Sequence, residues 1–185
     1  MRVEKHSHHI HSIPGFLPPE QCSKLIAAAE QMGFHNASLY SENGDPVPDA
    51  SPMNSRVMYY RPELAKVLWD RLWPFAKTNI GPSYANGLSE LFRIYRFEPG
   101  HEFETHRDKT YIRNPLETSY FSFSVFLNDD FEGGQLSFAD GNVSIKPETG
   151  TAVIFLHDLK HEASPVTKGV KYVLRSEIIY ELVFS

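Results

Sequence analysis

The chain has 185 residues, 41% of them apolar and 22% charged, with a formal net charge of -5. That balance argues against a disordered chain and gives no global electrostatic case for nucleic acid or an anionic membrane. No apolar run approaches the roughly 18 residues of a membrane span, and the single cysteine, Cys22, excludes an intrachain disulfide and fits a reducing, cytoplasmic setting. The length fits one domain, 1–185, with an N-terminal support (1–87) and a core (88–185).

Met1–His11 lacks the apolar stretch of a secretory signal. It reads as a solvated strand in which His6, His8, His9 and His11 alternate with other residues, and weak metal binding is the rival reading. Pro18 and Pro19 suit a helix start, where a missing N–H does no harm. Leu25, Ile26, Ala29 and Met32 follow at helical spacing, Cys22 falls inside that helix, and Gly33 is its stop. Ser41–Pro52, rich in Gly, Pro, Asp, Asn and Ser, is a surface loop. Arg56–Tyr60 is a short strand. Pro62 opens a second helix with Leu64, Val67, Leu68, Arg71 and Leu72 on one side. Trp69, Trp73 and Phe75 are read as helix-to-sheet packing, and Asn54 and Arg56 as core braces rather than substrate contacts.

After Gly87 the pattern changes. Leu91–Phe97, Tyr120–Leu127, Gln135–Phe138, Thr151–Leu156 and Lys171–Phe184 read as strands, joined by turn-like segments such as Glu98-Pro99-Gly100 and Glu132-Gly133-Gly134. Phe121-Ser122-Phe123-Ser124-Val125 alternates apolar and small polar residues, the period of a half-buried strand. No helical pattern of 10–15 residues separates the strands. The class is therefore α+β, mainly β, with an antiparallel sandwich or barrel rather than a parallel α/β sheet.

Chemistry enters at His106-Arg107-Asp108. On an extended chain residues i and i+2 share a face, so an imidazole nitrogen and a carboxylate oxygen converge. A third ligand must come from elsewhere, and His161 is the best candidate. Two histidines and one carboxylate with open positions make the facial triad of non-haem Fe(II) oxygenases. Lys171, ten residues after His161, offers a cation for the far carboxylate of a chelating 2-oxo acid. Lys171, Val173 and Arg175 share one strand face, and about 13 Å separates the two cations at ~3.3 Å per residue. They cannot both hold one carboxylate; Lys171 is preferred and Arg175 kept in reserve. His157-Asp158-Leu159-Lys160-His161 has the spacing of a helical zinc site. It carries Asp where Glu is usual and directly follows a strand, which speaks against that reading. His157 is then a loop residue near the site mouth, and His101, Glu102 and Glu104 a polar strand edge lining it.

Arg93-Ile94-Tyr95-Arg96-Phe97-Glu98-Pro99-Gly100 followed by His106-Arg107-Asp108 resembles the first half of a prolyl 4-hydroxylase-type oxygenase core. Phe126-Leu127-Asn128-Asp129-Asp130-Phe131-Glu132-Gly133-Gly134 resembles the hairpin that follows it. Gly150–Phe155, His161-Glu162, Pro165-Val166-Thr167 and Gly169-Val170-Lys171-Tyr172 resemble the closing half, and Ile13–Cys22 the lead-in. The match covers roughly residues 88–181, in order and correctly spaced. The family is the Fe(II)/2-oxoglutarate-dependent dioxygenases.

The resemblance implies a double-stranded β-helix, or jelly roll, with the N-terminal helices packed on one side. It implies His106, Asp108 and His161 as iron ligands and Lys171 as partner of the distal carboxylate of 2-oxoglutarate. It implies Fe(II) and 2-oxoglutarate as cofactor and cosubstrate, with ascorbate left open. The implied reaction hydroxylates an unactivated C–H bond with O2, releasing succinate and CO2. The implied substrate is a prolyl or other amino-acid residue of a peptide, or a small molecule, with no nucleic-acid or membrane partner. Phe97 departs from the pattern: prolyl hydroxylases often carry Tyr there, and Tyr95 on the same face is the substitute considered. Asp108 resembles the hydroxylating pattern; halogenating relatives carry a small residue instead. Tyr40–Met53 and Lys109–Ser119 are expected to flank the pocket mouth. The competing reading is a jelly-roll binding or scaffold module with a vestigial metal site.

Overall fold

Proline has no N–H to donate, and the chain places Pro18 and Pro19 where none is needed. Helix α1 runs from Pro19 to Met32 and ends at Gly33, whose φ of 80° lets its N–H turn back to the carbonyls of Ala29 and Glu30 at 3.2 Å. The structure, a computed structural model, describes residues 1–36, 54–139 and 142–183. The expected loop Ser41–Pro52, the proposed mouth segment Tyr40–Met53 and the end of the last strand at Phe184 lie outside the described residues. Helix α2 runs from Pro62 to Leu72 and buries Ala65, Leu68 and Leu72. Its inward stripe is rotated from the expected one, since Val67 is exposed. Trp73 is also about half exposed, its ring tilted against that of Trp69 with the centroids 5.5 Å apart rather than packed under the sheet. Among the described residues no helix is long and apolar enough to cross a membrane.

The remainder is antiparallel β-structure. In the larger sheet, the strands Ile10–Ile13, Ala152–Leu156, Glu117–Phe126, Lys171–Leu182, Leu91–Phe97 and Ser55–Tyr60 lie side by side in that order. Met1–His9 is exposed or part-exposed, as expected of a solvated entry segment, and burial begins at Ile10. Ile10 and Ile13 are fully buried, and Ile10–Ile13 pairs with Ala152–Leu156 from the opposite end of the chain. A smaller sheet holds Val143–Ile145, Leu136–Phe138, His161–Ala163 and Phe103–His106, again in that order. The two layers with helices on one side form the expected jelly roll.

Alternate residues of the larger sheet's strands feed two cores. Phe92, Ile94, Phe121, Phe123, Ile154 and Leu174 join Leu25, Leu68 and Leu72 of the helices. Tyr95, Phe97, Phe126, Val153, Phe155 and Val173 join Leu136 and Phe138 of the smaller sheet. The central strand Glu117–Phe126 is therefore covered on both faces and not half-buried as its alternation implied. Ser122 and Ser124 point into the space between the sheets rather than to water.

Candidate metal centre

His106 and His161 sit directly opposite one another on neighbouring antiparallel strands of the smaller sheet. Cross-strand partners lie close enough for their side chains to meet, and the two ring centroids are 4.3 Å apart. Asp108 lies two residues past the end of its strand, tied down by its N–H to the carbonyl of His157 at 3.1 Å. Its Oδ1 is 3.5 Å from His106 Nε2 and 3.6 Å from His161 Nε2. Among the described residues these three form the one group of three or more His, Cys, Asp or Glu side chains whose ligand atoms all lie within 4.8 Å of one another.

Each histidine has its other nitrogen committed. Nδ1 of His106 donates to the carbonyl of Glu104 at 2.7 Å, and Nδ1 of His161 to the carbonyl of Leu159 at 2.9 Å. A proton held on Nδ1 leaves a lone pair on Nε2, the tautomer a metal requires. Nε2 of His106 is buried and has no hydrogen-bond partner. An orphaned acceptor is costly to bury, and here it faces a carboxylate oxygen and a second imidazole. The donor set, two imidazole nitrogens and one carboxylate oxygen, fits a ferrous ion.

Electrostatics match that geometry. Burial alone would push the Asp108 carboxyl up, but the His106 ring, the Arg175 guanidinium and His161 override it and hold the group far below the usual carboxylate range. Burial lowers the His161 imidazole from its ordinary value, against the opposing pull of Asp108. His157 is not at the mouth. It is 5% exposed, neither ring nitrogen has a partner, and burial pushes it down to about 4.

A cavity opens between the sheets beside the triad, lined by Tyr95, Phe97, Phe126, Lys171, Val173 and Arg175 among others. Both cations of the last strand reach it, in different states. Arg175 Nη2 is 2.5 Å from Asp108 Oδ2, a buried ion pair. Lys171 is 2% exposed and donates to the carbonyl of Gly134 at 2.6 Å, with the rings of Phe97 and Phe126 at 5.1 and 5.6 Å. Among the described residues no acidic side chain pairs with it, and burial pushes its ammonium down to about 7. Gly134, at φ +65°, lets the lysine stem pass: a Cβ there would come within 3.0 Å of Lys171 Cδ.

The lining corrects two further expectations. None of Lys109–Ser119 borders this cavity; the segment folds back as a short strand, Ile112–Asn114, on the outer end of Glu117–Phe126. His101 turns to its own loop, its Nδ1 accepting from the N–H of Glu98. Ser122 was missed. Its hydroxyl donates to Asp108 Oδ2, and its place beside Ser124 in the alternating strand was the available signal.

The 2OG-Fe(II) oxygenase superfamily matches residues 92–176. A PKHD-type hydroxylase of Gloeothece citriformis is 26% identical over 171 residues, covering 89% of this chain and 75% of its own length. A PKHD-type hydroxylase of Azoarcus sp. is 28% identical over 181 residues, covering 86% and 73%. Against one from Sphingopyxis alaskensis, 35% identical over 87 residues, the match takes in 43% of this chain and only 39% of the relative. The chain is thus similar to the 2OG-Fe(II) oxygenases through its core and to PKHD-type hydroxylases along most of its length. The viral collagen prolyl hydroxylase of Paramecium bursaria Chlorella virus 1, solved with 2OG, shares the fold at a TM-score of 0.67 and 20% identity, over 95% of this chain and 97% of the other. A Pseudomonas putida prolyl-4-hydroxylase shares it at 0.69 and 17% identity, over 93% of each chain.

Proposed function

We propose that this chain is an Fe(II)- and 2-oxoglutarate-dependent hydroxylase acting on an amino-acid residue of a peptide, with proline the first side chain to test. The observation that carries the reading is the convergence of His106 Nε2, His161 Nε2 and Asp108 Oδ1 beside a cavity that holds a buried ammonium without an acidic partner among the described residues. Ferrous iron would supply oxygen activation coupled to the decarboxylation of 2-oxoglutarate to succinate and CO2. The residues do the rest. His106, Asp108 and His161 would hold the ion. Lys171 receives the distal carboxylate of 2-oxoglutarate, which restores the charge balance that burial has upset. Phe97, Phe126 and Val173 exclude water from that contact. Tyr95, on the same wall, supplies the hydroxyl that Phe97 lacks.

The peptide class is supported by the relatives' names and by a prolyl hydroxylase of Trichoplax adhaerens solved with a hypoxia inducible factor peptide fragment, which matches at a TM-score of 0.71 and 17% identity. A cytoplasmic setting is supported by Cys22, which is free and buried. Ascorbate enters as a reductant to be varied in the assay.

The test has two stages. Anaerobic addition of Fe(II) and 2-oxoglutarate should give a visible charge-transfer band, which a scaffold with a vestigial site would not show. A succinate-release screen over prolyl peptides and metabolites should then find the substrate, with His106→Ala as the control. Unchanged 2-oxoglutarate turnover in His106→Ala would overturn the assignment.

A further inference from the structure

The two imidazoles present one nitrogen each to the centre, but a carboxylate has two oxygens and can ligate through either one or both. Oδ1 of Asp108 faces the imidazoles. Oδ2 is turned away and doubly held: Arg175 Nη2 donates to it at 2.5 Å, and so does the Ser122 hydroxyl. Arg175 Nη2 also lies 3.3 Å from Ser122 Oγ, so the three groups close a ring of hydrogen bonds. Ser122 is fully buried, and Arg175 lies on the adjacent strand, whose Glu177 is the residue directly opposite Ser122. Both are fixed by the sheet itself. We propose that Arg175 and Ser122 are positioning residues that hold Asp108 to ligation through a single oxygen.

The consequence is a count of positions. Two imidazoles and one oxygen leave three of six octahedral positions free, which suits a two-point chelator and O2. A second carboxylate oxygen would take one of them. The inference rests on the Fe(II) reading above and gives Arg175 a role other than gripping the far end of 2-oxoglutarate.

Co(II), stable in air and visible by its d–d bands, is the probe metal. The probe chelators are 2-oxoglutarate and oxalate, which has the chelating end but no distal carboxylate. In Ser122→Ala and in Arg175→Met, Co(II) should still bind, while both chelators should need about tenfold more to shift its spectrum. Arg175→Lys should recover part of that loss. Lys171→Ala should weaken 2-oxoglutarate and spare oxalate. If either clamp variant takes both chelators like the wild type, the clamp is refuted. It is equally refuted if Arg175→Met loses 2-oxoglutarate alone, which would return Arg175 to the far carboxylate. A wild-type protein that takes up no Co(II) refutes the metal reading itself. Should Arg175→Met fail to fold, Ser122→Ala, the removal of one oxygen atom, carries the test.

Discussion

On the strand Lys171–Leu182, Leu174, Ile178 and Tyr180 turn toward the helices, while Lys171, Val173 and Arg175 turn toward the smaller sheet. The same division runs through the neighbouring strands: Phe121 and Phe123 against Ser122 and Ser124, Phe92 and Ile94 against Tyr95 and Phe97. One face is apolar and closely packed. The other carries two cations and two small hydroxyl residues and faces the buried carboxylate of Asp108, each of which costs free energy to bury unless it is paired. The sheet is thus a stabilising surface on one side and a site held under electrostatic tension on the other. Substitutions on the two faces should separate stability from chemistry.

The sharpest separation is His106→Ala against Leu174→Ala. His106 is part-exposed on a short outer strand, so its loss should abolish 2-oxoglutarate turnover while shifting unfolding free energy by no more than about 1 kcal/mol. Leu174 is fully buried between sheet and helices, and Leu174→Ala should cost about 2–5 kcal/mol in denaturant unfolding. The 2-oxoglutarate KM of Leu174→Ala should stay near wild type wherever the variant is folded. If instead both variants lose stability and activity together, the two faces are not separable.

Within the site face, Lys171 and Arg175 should differ. Lys171→Ala removes the cation proposed to hold the distal carboxylate and should raise the 2-oxoglutarate requirement by about 100-fold, the scale of a broken buried ion pair. Arg175→Ala should raise it less. The reverse ranking, read from succinate release against 2-oxoglutarate concentration, would move the anchor to Arg175.

Lys171 also predicts a pH dependence. Its ammonium is lowered by burial from 10.5 to about 7. Between those values the unfolded chain holds a proton that the folded chain has shed, so the free energy of unfolding rises with pH across the window. Below about 7 both states are protonated and the cost of burying the charge is constant; above 10.5 both are neutral. The metal-free protein should therefore melt higher at pH 9 than at pH 7, and Lys171→Met should flatten that rise. A slope equal to wild type in Lys171→Met would mean that the lysine is not buried as a charge.

The two faces also differ in how far they were legible. The apolar face announces itself: Leu91–Phe97 has the bounds its sequence implies, and Ala152–Leu156 and helix α1 nearly so. The site strands do not. Phe103–His106 and His161–Ala163 are short and polar, and they are strands because they pair with each other across more than fifty residues of chain, a contact no local pattern carries. His106, Asp108 and His161 are readable as candidate ligands from their types and spacing. The carbonyls that orient them, on Glu104 and Leu159, were not, because a backbone oxygen is the same whatever residue bears it. Ser122 failed for a third reason. Alternation shows that two faces exist, but not whether the polar one meets water or a buried carboxylate.

Phe97 tests that ambiguity with the smallest expected effect. It is 4% exposed, its ring lies 5.1 Å from Lys171 Nζ, and it stands where the resemblance to prolyl hydroxylases implies a tyrosine. Phe97→Tyr adds a hydroxyl to a wall with few polar partners, and a buried hydroxyl without a partner costs about 1–3 kcal/mol. The metal-free variant should accordingly melt slightly lower. When 2-oxoglutarate is bound, its carboxylate gives that hydroxyl an acceptor, and part of that free energy is recovered as affinity. The KM for 2-oxoglutarate should fall a few-fold, and the thermal stabilisation conferred by 2-oxoglutarate should grow by an equivalent amount. If the apo melting temperature drops with no gain in affinity, the ring faces apolar wall rather than cosubstrate, and Tyr95 is left as the sole hydroxyl available to it.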